Sequence, residues 1–254
     1  MSRELLSAAE ALARHIGGVA LQHYRSLLTV ETKPDGSPVT IADRDAESAA
    51  RAWLATRFPN DGVLGEELGE LAGTSGRRWI IDPIDGTKSF VRGVPLWGSL
   101  VALVEGERVL AGAACFPAVA ETIAAAPGEG CWWNGQRARV SDCATLAGAT
   151  ALITDDRTFR SMSKLDGWRT LIGEAAIART WGDCYGYLLV AAGHADIMGD
   201  PIMNPWDIAA LVPIIRGAGG VITDWKGGSP YPAESTLASA TPELHATVLA
   251  AMKP

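Results

Sequence analysis

The chain has 254 residues, of which 48% are hydrophobic and 20% are charged, and its net charge is −7. This composition is typical of a globular protein that forms one large domain or two packed smaller ones. The acidic balance and the lack of a run of Lys or Arg argue against nucleic acid or an anionic membrane surface as the main partner.

Hydropathy and cysteine spacing indicate the compartment. No stretch is long enough and free enough of charge to cross a bilayer, and the N-terminal residues lack the pattern of a secretory signal. The cysteines lie far apart without CxxC spacing, which favours reduced thiols and argues against zinc. They are Cys115, Cys131, Cys143 and Cys184. We therefore expect a cytoplasmic protein.

Two helices are predicted in the first 60 residues. Apolar residues at helical spacing predict an amphipathic helix over residues 4–28. Prolines and a glycine then enforce a loop within residues 31–47, and Thr40 or Asp43 can cap a second helix that runs to about Arg57. A helix-start aspartate such as Asp43 is as consistent with a cap as with a catalytic carboxylate.

A short strand and a charged turn come next. Within residues 61–70 the sequence predicts a short strand that leads into Gly65, Glu66 and Glu67, and residues 71–78 predict a mobile surface loop. Adjacent side chains point in different directions, so at most one of the two glutamates faces any single site. The alternative is a solvated charged turn.

The most informative stretch follows. Residues 79–81 predict a short buried strand that stops at Asp82 and Pro83, because proline lacks the N–H that a ladder needs. Pro83 and Gly86 favour a sharp bend that points Asp82 and Asp85 at one place. Two carboxylates at such a short distance repel each other unless a cation lies between them. A hard divalent ion is suited to this place because it prefers oxygen ligands. A solvated turn is the alternative.

The chain after residue 90 predicts a meander of antiparallel strands, because short turns join consecutive apolar runs. The predicted strands cover residues 95–104, 109–115 and 122–126, with a turn-rich segment at 128–135 and a further strand near 137–140.

The second half predicts alternating strands and helices, so we expect residues 1–140 and residues 141–254 to form two packed halves with a groove between them. The last predicted elements are a helix over residues 208–217 and a final strand over residues 220–223. Asp207 opens that helix, where capping is its default role. Sequence alone does not decide whether the fold brings it beside the earlier acids.

Three ordered motifs resemble the inositol monophosphatase family: GEE at residues 65–67, DPIDGT at 82–87 and PWDIAA at 205–210. The resemblance runs from about Lys33 to Gly228, which is nearly the whole chain. It implies an α+β fold, a layered αβαβα sandwich whose first sheet is rich in antiparallel strands. It also implies a lithium-sensitive phosphatase of small phosphate esters that uses two or three Mg²⁺ ions and forms a homodimer.

The resemblance also implies roles for individual residues. As metal ligands it implies Glu66, Asp82, Asp85 and Asp207, with the backbone carbonyl of Ile84. For the phosphate it implies Asp85 and the N–H groups of Gly86 and Thr87. Thr87 and Glu66 would orient the attacking water with support from Asp43, and Lys33 resembles a mobile loop that closes over the metals.

Within the family, DGTKSF at residues 85–90 and GDCYGY at 182–187 look most like the histidinol-phosphatase branch, whereas inositol phosphatases usually carry DGTTNF at the first place. Histidinol carries an ammonium and an imidazole, so its pocket should offer acids and acceptors. The candidate substrate-binding residues are Lys88, Asp183, Asp200 and Asn204. Asp183 serves equally well as a helix cap, and Lys88 approaches either phosphate or a partner subunit.

The sequence therefore predicts a Mg²⁺-dependent phosphate monoester hydrolase, with histidinol phosphate as the main substrate. An inositol-1-monophosphatase or a broader sugar-phosphate phosphatase is the alternative within this class. A regulatory protein that binds metal without turnover is the alternative from another class.

Overall fold

The computed structural model describes residues 2–34, 36–155 and 165–252. Two helices open the chain: α1, Ser2–His23, and α2, Ile41–Arg57. Both bury one apolar stripe, as the spacing predicts, although α1 ends five residues earlier than the predicted residue 28 (28 − 23 = 5). Thr40 is the N-cap of α2, and the carboxylate of Asp43 accepts the backbone N–H of Thr40 in a capping box.

The first sheet contains, among the described residues, eight strands in the order β10-β9-β8-β7-β6-β5-β3-β4. Neighbours pair antiparallel except β3 and β5, which are parallel. The antiparallel-rich meander is thus confirmed. Its strands are β3 Gly62–Gly65, β4 Gly69–Leu71, β5 Arg77–Asp85, β6 Gly98–Glu105, β7 Arg108–Phe116, β8 Glu121–Ala126, β9 Gly130–Trp133 and β10 Gln136–Arg137. A small separate hairpin joins β1, Glu31–Thr32, to β2, Pro38–Val39.

Three predictions in this half were wrong in detail. The predicted surface loop at 71–78 is shorter, because its first residue belongs to β4 and its last two residues belong to β5. The strand at residue 79 does not stop at Pro83 but reaches Asp85, since the proline falls in a bulge where no ladder bond is needed. The turn-rich segment at 128–135 contains a strand whose two tryptophans pair with β8.

The second sheet has the strand order β12-β11-β13-β15-β14 over the described residues. Its strands are β11 Thr150–Leu152, β12 Ile177–Arg179, β13 Ile197–Asp200, β14 Val221–Thr223 and β15 Thr236–Ser239. The remaining helices are α3 Thr87–Val91, α4 Leu165–Glu174, α5 Asp183–Ala191, α6 Pro205–Ile208, α7 Leu211–Gly217 and α8 Pro242–Ala251. The division of the chain near residue 140 stays a prediction.

Two features of the second half differ from the sequence-based expectation. The strand at residue 221 is not the last, because β15 pairs between β13 and β14 and α8 follows it. The helix predicted over 208–217 divides into α6 and α7. Pro213 has no N–H to offer the carbonyl of Ala209, which weakens a continuous helix at this point.

The elements stack in five layers. Helices α1 and α2 cover one face of the first sheet, while α5, α6 and α7 fill the space between the two sheets. Helices α4 and α8 cover the outer face of the second sheet. The middle layer packs closely, since a Cβ on Gly112 of β7 would collide with the carbonyl oxygen of Ala210. The predicted layered αβαβα sandwich is confirmed.

Candidate active site

A bulge at the end of β5 sets the direction of two aspartates. Asp82 pairs with Leu100 and Asp85 pairs with Gly98, so three steps along β5 match two steps along β6. Residues three apart in a regular strand point to opposite faces, but the extra residue of a bulge returns them to the same face. Both carboxylates therefore face the middle helical layer.

Helix α6 brings a third carboxylate to the same place. Asp207 lies in α6, which packs against β5, and its Oδ2 accepts the backbone N–H of Asn204 at 2.7 Å. Asp82, Asp85 and Asp207 each offer a carboxylate oxygen, and these oxygens lie within 4.8 Å of one another. The prediction that Asp207 opens the helix was wrong, because Asn204 is the N-cap of α6 and Asp207, three residues later, completes its capping box. Asp207 also reaches the cluster, which the sequence left undecided.

The electrostatics of this cluster call for a cation. Burial and then the neighbouring carboxylates raise the pKa of Asp82 well above its ordinary value. Burial and the nearby charges of Asp183 and Asp207 do the same to the pKa of Asp85. The pKa of Asp207 rises to about 6, from burial first and then from Glu66. Within the described residues, Oδ1 of Asp82 is buried without a hydrogen-bond partner. An all-oxygen donor set with an orphaned oxygen fits a hard divalent ion.

Lys33 joins the two glutamates of the GEE motif. Its Nζ lies 2.6 Å from Oε1 of Glu66 and 2.6 Å from Oε1 of Glu67. Burial alone would lower the pKa of Lys33, but the hydrogen bonds to both glutamates outweigh it and raise that pKa. Burial raises the pKa of Glu67 to about 7. Both glutamates therefore meet one ammonium, and the carboxylate of Glu66 also acts on Asp82 and Asp207.

Glu47 is a residue that sequence reasoning missed. It is fully buried in α2, and its Oε2 accepts the backbone N–H of Glu67 at 2.7 Å. Arg51, one turn later, donates to its Oε1. Glu47 therefore shapes the turn that presents the GEE glutamates. The signal that was available is its position four residues after Asp43, which places both acids on one helix face.

Asp43 has one engaged and one free oxygen. Its Oδ2 accepts the backbone N–H of Thr40 at 2.8 Å and the Thr40 hydroxyl at 2.7 Å. Its Oδ1 is buried and, among the described residues, has no hydrogen-bond partner. Burial raises the pKa of Asp43, and the charge of Glu66 contributes to the rise. Capping thus uses one oxygen and leaves the other for a different role.

The turn after β5 leads into α3. Gly86 has φ of 87°, which is left-handed backbone that glycine adopts without strain, and it is the N-cap of α3. The hydroxyl of Thr87 donates to the carbonyl oxygen of Ile84 at 2.9 Å. A carbonyl oxygen has two lone pairs, so that of Ile84 keeps a second acceptor position.

Asp183 lies directly beside the acidic cluster. Its φ is 51°, and its backbone N–H donates to the Thr154 hydroxyl at 2.8 Å. The Ser89 hydroxyl donates to its Oδ2 at 3.4 Å. Burial raises the pKa of Asp183 to about 6, while the Ser89 hydrogen bond and the charge of Lys88 oppose the rise.

The other candidate substrate residues occupy three different environments. Asp200 is buried, and its carboxylate accepts from the Tyr187 hydroxyl at 3.2 Å and from the backbone N–H of Thr154 at 3.4 Å. Burial raises the pKa of Asp200 to about 7. Asn204 is exposed at the start of α6, and Lys88 is exposed in α3. Their roles in substrate binding stay predictions.

Comparison with known proteins extends over almost all of the chain. The chain is 41% identical to a histidinol-phosphatase from Chlorobaculum parvum over 249 residues, which cover 97% of this chain and 96% of the relative. It is also 41% identical to a histidinol-phosphatase from Mycobacterium tuberculosis, covering 89% and 90%. An inositol monophosphatase structure from Zymomonas mobilis has a TM-score of 0.87 at 32% identity and covers 98% of both chains.

Two further findings concern the chain as a whole. Among the described residues, no helix is both long and apolar enough to pass through a membrane. The family model for the inositol monophosphatase family matches residues 1–253. The chain therefore belongs to the inositol monophosphatase family and is a phosphate monoester hydrolase.

Proposed function

We propose that this protein is a Mg²⁺-dependent phosphatase that hydrolyses L-histidinol phosphate to L-histidinol and phosphate in histidine biosynthesis. The observation that carries the proposal is the convergence of Asp82, Asp85 and Asp207 within 4.8 Å, beside Asp183. The histidinol-phosphatases that match this chain along most of their length support the choice of substrate.

Two or three Mg²⁺ ions would be held by carboxylates and one main-chain oxygen. The proposed ligands are Glu66, Asp82, Asp85, Asp207 and the carbonyl of Ile84. Mg²⁺, when bound, acts as a Lewis acid that offsets the negative charge of the phosphate and of the leaving oxygen. The raised pKa values of the aspartates support this assignment, because burial and then mutual repulsion raise them, and a bound cation offsets both effects.

The protein's own groups would position the reactants. We propose that Thr87 and Glu66 orient the attacking water, since the Thr87 hydroxyl is fixed on the Ile84 carbonyl. The buried free oxygen of Asp43 would support the same water by accepting a hydrogen bond. The N–H groups of Gly86 and Thr87 would donate hydrogen bonds to the phosphate from the start of α3, and Asp85 would bind the phosphate indirectly, as a ligand of the metal.

The leaving alcohol would be recognised by Asp183. A carboxylate at this position offers an anion and an acceptor to the ammonium of histidinol, at the edge of the metal cluster. Asn204, exposed at the start of α6, would add a neutral contact, and Lys88, exposed in α3, would approach either phosphate or a partner subunit. Asp200 would contribute to the alcohol pocket indirectly, by positioning Thr154. The backbone N–H of Thr154 donates to Asp200, and the hydroxyl of Thr154 accepts from the backbone N–H of Asp183.

A substrate panel tests the proposal. Purified protein with Mg²⁺ is assayed for phosphate release from L-histidinol phosphate, inositol 1-phosphate and a hexose phosphate. We expect kcat/KM for histidinol phosphate to exceed the others by about 100-fold or more, since lost polar pairing costs several kcal/mol. Equal rates would replace the histidinol assignment by the broader phosphatase. Metal binding without turnover of any substrate would favour the regulatory alternative.

The family resemblance supports two further properties, a homodimer and inhibition by lithium. Size-exclusion chromatography with light scattering measures the first. Assays of phosphate release in rising LiCl, with KCl at the same ionic strength as control, measure the second.

A further inference from the structure

A cavity of about 570 Å³ opens between the β6–β7 end of the first sheet, the end of α7 and the loop that precedes β15. Its walls come from the β6–β7 hairpin, the β8–β9 turn, the end of α7 and the loop at residues 229–231. The buried residues of the lining, which we call the floor, include Val212, Pro213 and Tyr231, and half-buried Val109 adds further apolar surface. Three arginines stand at its walls: Arg108, Arg137 and Arg216. We call this the arginine cavity.

The arginine cavity is remote from the carboxylate cluster. Asp85 pairs with Gly98 at the first residue of β6, whereas the hairpin that lines the cavity follows Glu105 at the last residue. At about 3.3 Å per residue, seven steps along β6 separate the two ends by roughly 23 Å. A ligand in this cavity would therefore not touch the groups proposed for phosphate ester hydrolysis.

Two of the arginines are held in place by neighbours. Arg137 donates from Nη1 to the carbonyl oxygen of Glu129 at 2.8 Å and stacks over the ring of Trp132. Its guanidinium lies so close to Gly130 that a Cβ there would collide with it. Arg108 pairs with Glu105 at 2.8 Å on the exposed hairpin, which offsets part of its charge.

Arg216 differs from the other two. It lies in the last turn of α7 and, within the described part of the chain, makes no side-chain hydrogen bond or ion pair. Its donors are therefore available to a ligand. Among the described residues the lining includes one acid, Glu107, and Glu105 pairs with Arg108, so the three arginines leave a local excess of one positive charge.

This excess stands out because the whole chain carries a net charge of −7. Guanidinium groups pair with carboxylate, phosphate and sulfonate in a planar fork, and an apolar floor binds a hydrocarbon or aromatic body. We propose that the arginine cavity is a second binding site, which takes a small organic anion that joins an acidic group to an apolar or aromatic body. The site is separate from the proposed hydrolysis of phosphate esters and requires no metal.

Calorimetric titration of the full chain with phenylphosphonate, an aromatic dianion without an ester bond, tests the site. In EDTA the carboxylate cluster repels the anion, so binding there is suppressed and binding at the arginine cavity is measured apart from it. We expect saturable binding in EDTA. Arg216→Gln should weaken it about 10-fold, and Arg137→Gln combined with Arg216→Gln should weaken it about 100-fold or more.

The matched control is Arg3→Gln, which removes an exposed arginine in α1 and should leave binding unchanged. Arg216→Lys keeps the charge without the fork and should fall between wild type and Arg216→Gln. Circular dichroism verifies folding, and Arg216→Gln alone decides the question if the double variant does not fold. No saturable binding up to about 10 mM, or wild-type affinity in Arg216→Gln, would overturn the proposal.

Discussion

The backbone N–H of Cys184 lies 2.6 Å from Oδ2 of Asp85 and donates a hydrogen bond to it. This bond connects the end of β5 in the first sheet to the first turn of α5 in the middle layer. It opposes the effect of burial on the pKa of Asp85. The orientation of one carboxylate in the cluster thus depends on a segment 99 residues further along the chain.

Replacing Asp85 by Asn should separate catalysis from folding. We expect kcat/KM to fall by at least about 100-fold, because the variant loses a proposed metal ligand and a preorganised charge. We expect the melting temperature in EDTA to rise, because one of several crowded negative charges is gone. Phosphate-release assays and thermal melts measure the two effects. Asp142→Asn, on an exposed aspartate, is the control, and unchanged turnover in Asp85→Asn would refute the metal mechanism.

Lys33 supplies positive charge to the glutamates when no metal is bound. Lys33→Met should therefore destabilise the protein in EDTA by roughly 1–3 kcal/mol, because two partly buried carboxylates lose their partner. Saturating Mg²⁺ should recover part of this loss, since binding to the folded state stabilises it. Urea unfolding with and without Mg²⁺ measures both effects. Lys226→Met, at an exposed site, controls for loss of charge alone. Equal stability of Lys33→Met and wild type in EDTA would contradict this account.

The pKa of Asp200 predicts a pH dependence of stability. Burial raises this pKa to about 7 in the folded protein, whereas the pKa of an aspartate in the unfolded chain is about 3.9. Between these values the folded state holds a proton that the unfolded state has released. The free energy of unfolding therefore falls, through this group, by a few kcal/mol as pH rises from about 4 to about 7.

Asp200→Asn tests this pH dependence because an amide does not titrate. In EDTA, the variant should gain stability relative to wild type on going from pH 5 to pH 8. Urea midpoints at both pH values provide the comparison. A difference between variant and wild type that stays constant with pH would show that Asp200 does not hold a proton in the folded state.

Gly65 is required by the buried carboxylate of Glu47. A Cβ at this position would collide with the Glu47 carboxylate, which holds the backbone of the GEE turn. Gly65→Ala should destabilise the protein by about 2 kcal/mol or more and lower Mg²⁺-dependent turnover. Gly18→Ala is the matched control, because nothing lies within 4 Å of its added Cβ and α1 should gain about 0.5–1 kcal/mol. Thermal melts of both variants decide this prediction, and equal melting temperatures would contradict it.

Asp183 should control which alcohol is preferred. Asp183→Asn removes the charge that we propose for the histidinol ammonium, so kcat/KM for histidinol phosphate should fall by roughly 10-fold to 100-fold. The rate with inositol 1-phosphate, which carries no ammonium, should change less. Equal losses for both substrates would assign Asp183 to positioning of Asp85 rather than to substrate choice.

Local signals predicted much of the fold and most of the candidate cluster. The capping pattern gave α2, and the apolar runs gave the meander from β5 to β8. The start of α8 was also readable, since Thr241 followed by Pro242 is a common helix start, but the turn-rich residues before β15 concealed it.

Features that depend on tertiary contacts were beyond the sequence pattern. Asp207 has the same local pattern whether it only caps α6 or also meets Asp82, and packing of α6 against β5 decides between them. The same holds for Arg108, Arg137 and Arg216, which come from three elements and share a cavity only after α7 has packed on the first sheet. Glu47 became recognisable only through the backbone that it holds.

The bulge in β5 also makes the site sensitive to chain length. Removing the one extra residue of the bulge would leave the two aspartates two apart in a regular strand and still on one face. Removing two residues would make them neighbours, and one carboxylate would turn towards α1 and α2, where an apolar core has no room for a charge. A two-residue alignment gap at this point therefore gives a simple criterion for identifying relatives whose carboxylate cluster is no longer assembled.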